Sequence, residues 1–147
     1  PICRNLTVKS GLQVKVFDIE PRPVRRLVEL GAIAADSVRD AVEGADVLFV
    51  CLPSGEAVQR LADQPEGLLA AIKPRQIVVD LSTSNVDTTR ALAVAFAQRD
   101  ATFIDAPLAR TRAAAEAGTL SVMVGANPST FEAVRPLIET FASEITL

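Results

Sequence analysis

The sequence predicts an α/β fold, a doubly wound parallel sheet, with a single domain over residues 1–147. Three observations lead there. Strand-type and helix-type periodicities alternate at intervals of roughly 20 to 30 residues, the rhythm of successive βα units. The segments Asp46 to Pro53 and Ile77 to Leu81 are continuous apolar runs, which is how a parallel strand covered on both faces reads. A hydrophobic content of 49% in 147 residues is ample for one packed core.

The elements follow in order. Ile2, Leu6 and Val8 stand near helical spacing before Gly11, which is placed as a C-terminal cap, so the chain opens on a helix. Leu12 to Asp18 alternates and is β-branched enough for a strand. Pro21 and Pro23 interrupt it, and Val24, Leu27 and Val28 form the apolar face of a short helix ending at Gly31. Ala32 to Ala34 reads as a short strand, and Ser37 as the N-cap of a helix from Val38 to Glu43 stopped by Gly44. After the strand at Asp46 to Pro53, Ser54 caps a helix to about Leu61, and Gly67 to Ile72 is a helical turn closed by Pro74. Ser84 is expected to cap the helix Val86 to Arg99, with Leu92 and Phe96 on one side. Strands are expected at Ala101 to Asp105 and Leu120 to Val124. Asn127 and Pro128 then open a helix whose face is Phe131, Val134, Leu137, Ile138 and Phe141, with a kink expected at Pro136. Glu144 to Leu147 begins a last strand.

Charge and composition narrow the function classes. With 15 basic and 18 acidic residues interspersed and a net charge of −3, no basic stripe is present to hold a phosphate backbone, so nucleic acid is not an expected partner. The apolar runs fall far short of the ~20 residues of a membrane helix, and no signal-peptide pattern opens the chain. Two cysteines, Cys3 and Cys51, show neither metal spacing nor a disulfide framework, which fits a reducing, cytoplasmic location. No metal site is expected. The chain has no His, Tyr or Trp. Its chemistry therefore rests on Lys, Asp or a cofactor, or on a residue outside this chain.

In open parallel sheets, ligands bind beyond the carboxyl ends of the strands. Asp18 ends a strand there, where a carboxylate accepts hydrogen bonds from an adenosine ribose and repels a 2′-phosphate; capping a helix or decorating the surface is the plainer alternative. Leu52-Pro53 and Ser82-Thr83-Ser84 end the next two long strands and are equally compatible with cofactor contact and with ordinary turn chemistry. Asp105 to Leu120 carries a denser signal. Arg110 follows a strand end by a few residues, where its planar fork suits a carboxylate, sulfonate or phosphate, and Thr111 adds a hydroxyl. The alternative is that Arg110 and Arg112 are solvated charges on an Ala-rich helix.

These motifs stand in a recognisable order: Arg4-Asn5-Leu6 with Gly11, Val16-Phe17-Asp18, Ala45-Asp46-Val47 with Cys51-Leu52-Pro53, Val79-Asp80-Leu81-Ser82-Thr83, Asp105-Ala106-Pro107, and Gly118-Thr119-Leu120 through Met123-Val124-Gly125. In that order the chain resembles the β-hydroxyacid dehydrogenase family, which includes 3-hydroxyisobutyrate dehydrogenase, tartronate semialdehyde reductase and, more distantly, 6-phosphogluconate dehydrogenase. The resemblance implies a Rossmann-like domain that binds NAD, or NADP, with Asp18 favouring NAD(H), Leu52 and Pro53 lining the cofactor groove and Thr83 near the nicotinamide. It also implies a small anionic β-hydroxy acid or semialdehyde as substrate. Family members carry a strand and a G-x-G-x-x-G loop before the segment matching Pro1. After the segment matching Leu147 they carry an all-helical domain that holds the catalytic Lys and through which they associate. The resemblance therefore implies a sheet incomplete at its N-terminus, no catalytic residue within these 147 positions, and little activity from this stretch alone. Where the family commonly reads Val-Ser-Gly-Gly after Asp-Ala-Pro, this sequence reads Leu108-Ala109-Arg110-Thr111. An Arg-Thr pair there is similar to the sulfolactaldehyde reductase branch, which implies that Ala109, Arg110 and Thr111 meet the substrate, Arg110 at its anionic end. An imine reductase, a phosphogluconate-type enzyme and a non-catalytic nucleotide-binding domain are the alternatives.

Overall fold

The computed structural model describes residues 1–147. The chain runs α1 (Ile2–Lys9), β1 (Lys15–Val16), α2 (Pro21–Val28), β2 (Ile33–Ala34), α3 (Val38–Val42), β3 (Val47–Val50), α4 (Gly55–Asp63), α5 (Leu68–Ala71) and β4 (Ile77–Asp80). It continues through α6 (Val86–Ala97), β5 (Thr102–Asp105), β6 (Leu108–Ala109), α7 (Arg112–Ala117), β7 (Leu120–Met123), α8 (Pro128–Ile138) and β8 (Ala142–Thr146). The α/β alternation is as expected. The strands fall into three sets: parallel β1-β2, parallel β3-β4-β5, and β6-β7-β8, in which β6 and β7 are antiparallel and β7 and β8 parallel. The sheet is thus mixed rather than wholly parallel, and no ladder joins β1 to β3.

The central β3-β4-β5 set explains the continuous apolar runs, because each strand sends alternate residues to two different cores. Leu48, Val50, Val78 and Phe103 face one core with Val58, Leu92 and Phe96 from the helices. Val79, Leu81 and Ile104 face the other, with Val122, Val134, Ile138 and Phe141. Val78 and Val79 are both fully buried. Burying a valine completely stabilises by ~1.5–3 kcal/mol, so neighbouring residues on opposite faces contribute comparably. Phe96 stacks on Phe103 at 5.3 Å, and Phe49 meets Phe141 edge-on at 5.8 Å and 88°, one pair in each core.

Several local expectations shift. The strand expected over Leu12 to Asp18 forms a ladder only at Lys15–Val16, held through Ile33 N to Val14 O and Ala35 N to Val16 O. Asn85, not Ser84, caps α6: its side chain accepts from Thr88 N at 2.8 Å, whereas the Ser84 hydroxyl donates to Asp80 Oδ2 at 3.0 Å. Two capping-type residues stood side by side, and the buried Asp80 carboxylate claimed the first. Helix α8 continues through Pro136 to Ile138, because a proline in the last turn removes one donor without ending the apolar face. Strand β8 begins at Ala142, two positions before Glu144, since Phe141 and Ala142 already pair with Leu120.

Candidate functional site

The turns after β3 and β4 are fixed against each other. Asp80 is fully buried at the end of β4, accepting from Ser82 N at 2.9 Å and from the Ser84 hydroxyl at 3.0 Å. The buried Ser82 hydroxyl in turn accepts from Leu52 N at 2.9 Å. Ser54 caps α4 by accepting from Ala57 N. The result is a pair of adjacent turns at the carboxyl edge, with Leu52 half-buried and Pro53 and Thr83 exposed on top. Gly55 makes the approach possible, because a Cβ there would lie 2.9 Å from Ser84 Oγ and 3.0 Å from Ser84 Cα. Gly55→Ala is expected to cost about 1–3 kcal/mol in chemical denaturation by forcing the two turns apart; an unchanged midpoint would show that the turns are free to separate. At the same edge, desolvation of the Cys51 thiol, with the nearby Asp80 carboxylate adding to it, pushes its pKa up, which disfavours the thiolate.

From β5 the chain does not turn back at the sheet edge. Asp105 O accepts from Gly125 N at 2.8 Å, Pro107 O accepts from Met123 N at 3.3 Å, and Leu108 and Ala109 register with Val122 and Ser121. The β5 strand is thereby prolonged past the carboxyl edge, paired to β4 below and to β7 above. At ~3.3 Å per residue, Arg110 stands ~16 Å beyond Asp105. At the crossing, a Cβ on Gly125 would sit 2.3 Å from Asp105 Oδ1, so a larger residue there would displace the Asp105 carboxylate.

Arg110 has φ +86°, a left-handed conformation that costs an L residue roughly 1–2 kcal/mol. Its Nη1 donates to Thr119 O at 2.9 Å and its Nη2 pairs with Glu144, with the side chain 39% exposed. The guanidinium is therefore partnered within the chain rather than wholly free, and its Nε–H makes no hydrogen bond. Thr111 caps α7, its hydroxyl oxygen accepting from Ala114 N at 3.4 Å while its proton stays available to a ligand. The Ala-rich helix is thus real, and it begins after Arg110, which lies outside it.

Asp18 is exposed two residues past β1, and its Oδ1 accepts from Glu20 N at 2.9 Å, leaving Oδ2 without a partner. Ile19 beside it is 88% exposed. The structure thus brings Leu52, Pro53 and Thr83 together, sets Ala109, Arg110 and Thr111 on the prolongation of the adjacent strand, and leaves Asp18 on a separate pair of strands. Gly55 and the pairing of Glu144 escaped the sequence reading, and Ser82, read there as a cofactor contact or a turn residue, instead ties the two turns together. The Ser-Thr-Ser run carried a signal for Ser82; nothing local marks Glu144. No group of three or more Cys, Asp or Glu is disposed to hold a metal, and no helix is long and apolar enough to cross a membrane.

The family model of the NAD binding domain of 6-phosphogluconate dehydrogenase matches residues 1–147. The chain belongs to this NAD-binding domain family. Over 145 residues, 99% of its length, the domain is 39% identical to 3-hydroxyisobutyrate dehydrogenase and 40% identical to NAD-dependent L-serine dehydrogenase, both of Pseudomonas aeruginosa, covering 48% of each. It is 29% identical to 3-sulfolactaldehyde reductase of Escherichia coli over 99% of the chain, again covering 48% of that protein. The NAD-binding domain thus spans about half the length of the curated relatives it matches. A solved structure described as Psf3 in complex with NADP+ and 2-OPP superposes with a TM-score of 0.91 at 38% identity, covering 99% of this chain and 51% of that one. Imine reductases at 17–20% identity share the fold alone. The relatives carry the names of the β-hydroxyacid dehydrogenase family, the family that the motif order implied.

Proposed function

We propose that the protein carrying this NAD-binding domain transfers a hydride between NAD(H) and a small anionic β-hydroxy acid or semialdehyde. In this reading Asp18 holds the adenosine ribose, Leu52 and Pro53 line the groove, and Thr83 reaches the nicotinamide end. Ala109, Arg110 and Thr111 meet the substrate, with Arg110 on its anionic group. The nicotinamide, when bound, supplies or takes up the hydride. This chain's own residues orient the two partners, and the proton at the reacting oxygen is left to a group outside these 147 residues. A cytoplasmic location and self-association outside this domain go with the same reading.

The observation that supports the proposal is the prolonged β5 strand, which carries Arg110 past the carboxyl edge of β4. Relatives named for hydroxyisobutyrate, serine and sulfolactaldehyde support the substrate class. The cofactor half has a direct test. Asp18 repels a 2′-phosphate, so Asp18→Ser is expected to narrow the NADH-over-NADPH ratio of kcat/KM by about tenfold or more. An unchanged ratio would remove Asp18 from the cofactor site.

A further inference from the structure

Glu144 makes a cross-strand contact that sequence spacing does not demand. Strand β8 registers Ala142 with Leu120 but Glu144 with Ser121, so Ser143 is an inserted residue that shifts the register. Such bulges re-aim a side chain. Here the carboxylate reaches Arg110, which itself holds a left-handed φ of +86°. Two separate backbone irregularities, the β8 bulge at Ser143 and the left-handed Arg110, therefore converge on one ion pair. The ion pair itself adds little to the fold: the Glu144 side chain is 62% exposed, and exposed ion pairs contribute little to stability. The neighbouring cations are engaged elsewhere, Arg112 with Glu116 and Lys9 with Thr140 O.

We propose that Glu144 is a positioning residue that sets the charge specificity of the Arg110 site, holding the guanidinium across the end of β7 and tempering its charge so that monoanions are favoured over dianions. The inference rests on the reading of Arg110 as the anion anchor. Its physical basis is simple. With Nη1 on Thr119 O and Nη2 on Glu144, the fork is biased to one orientation, while Nε–H and the outer Nη protons remain for a ligand. The Glu144 carboxylate repels each ligand charge separately, so a dianion feels it twice. Across ~6 Å of well-solvated site, removing one negative charge strengthens binding ~3-fold for a monoanion and ~10-fold for a dianion.

Sulfate and methanesulfonate share a tetrahedral oxyanion geometry and differ in charge, which makes them suitable probes. Dissociation constants follow from the rise of Tm with anion concentration in the full-length protein at low ionic strength. In Glu144→Gln, affinity for sulfate is expected to rise ~10-fold and for methanesulfonate ~3-fold, shifting the ratio ~3-fold. Arg110→Ala should abolish both. If Arg110→Ala leaves sulfate affinity intact, or if neither the wild type nor Glu144→Gln binds sulfate, the anchor reading fails and this inference with it. If Arg110→Ala removes binding but Glu144→Gln leaves the ratio unchanged, Glu144 is only a surface partner and the inference alone is overturned.

Discussion

Phe141→Ala is expected to destabilise the domain by about 3–5 kcal/mol, a large share of the roughly 5–15 kcal/mol that holds a typical domain together. Phe141 is fully buried, and its ring meets Phe49 of β3 edge-on at 5.8 Å. Its backbone joins two further elements: Phe141 N donates to Ile138 O at the end of α8, and Phe141 O accepts from Leu120 N as β7 begins. Truncation leaves a void bounded by β3, α8 and β7, three elements that hydrogen bonds prevent from collapsing inward. Denaturant unfolding of the protein measures the loss. A change below about 1 kcal/mol would mean that the β6-β7-β8 set does not rest on the central strands through this residue, and the platform for Arg110 would lose its support.

The second large effect concerns Arg110 and separates function from stability. A charge-assisted hydrogen bond to an ionised group is worth roughly 1.5–3 kcal/mol, so Arg110→Ala should lower kcat/KM for anionic substrates about 10- to 150-fold. Arg110→Gly should do the same while leaving stability unchanged or raising it by up to about 1 kcal/mol. Glycine adopts φ +86° without the left-handed penalty, and the exposed pair with Glu144 contributes only about 0–1 kcal/mol. An arginine kept for structure would behave in the opposite way, losing stability in both variants and activity in neither. Residues held in costly backbone conformations cluster at functional sites, and this pair of variants decides whether Arg110 is such a case.

Much of this was legible in the sequence because it depends on local chemistry. Continuous apolar runs such as Val47 to Val50 read as strands covered on both faces, and the two cores bear this out. Caps at Ser37, Ser54 and Asn127 lie where the short polar side chains and following apolar periods put them. What escaped depends on pairings between distant residues. The antiparallel β6 is two residues long and exists because β7 lies beside it. Ser84 looks like a cap in isolation and becomes a partner of Asp80 once β4 buries that carboxylate. Arg110 was visible as a cation after a strand; its left-handed backbone and its tie to Glu144 were not, because both arise where β5, β7 and β8 meet.

The most direct measurement compares hydride transfer from NADH to a short semialdehyde bearing a free carboxylate or sulfonate with transfer to its uncharged methyl ester. The wild-type protein is expected to prefer the anionic substrate in kcat/KM, and Arg110→Ala to lose most of that preference through the anionic substrate alone. Equal rates on the anion and the ester, or a preference that survives Arg110→Ala, would contradict the assignment of the prolonged β5 strand as the substrate anchor.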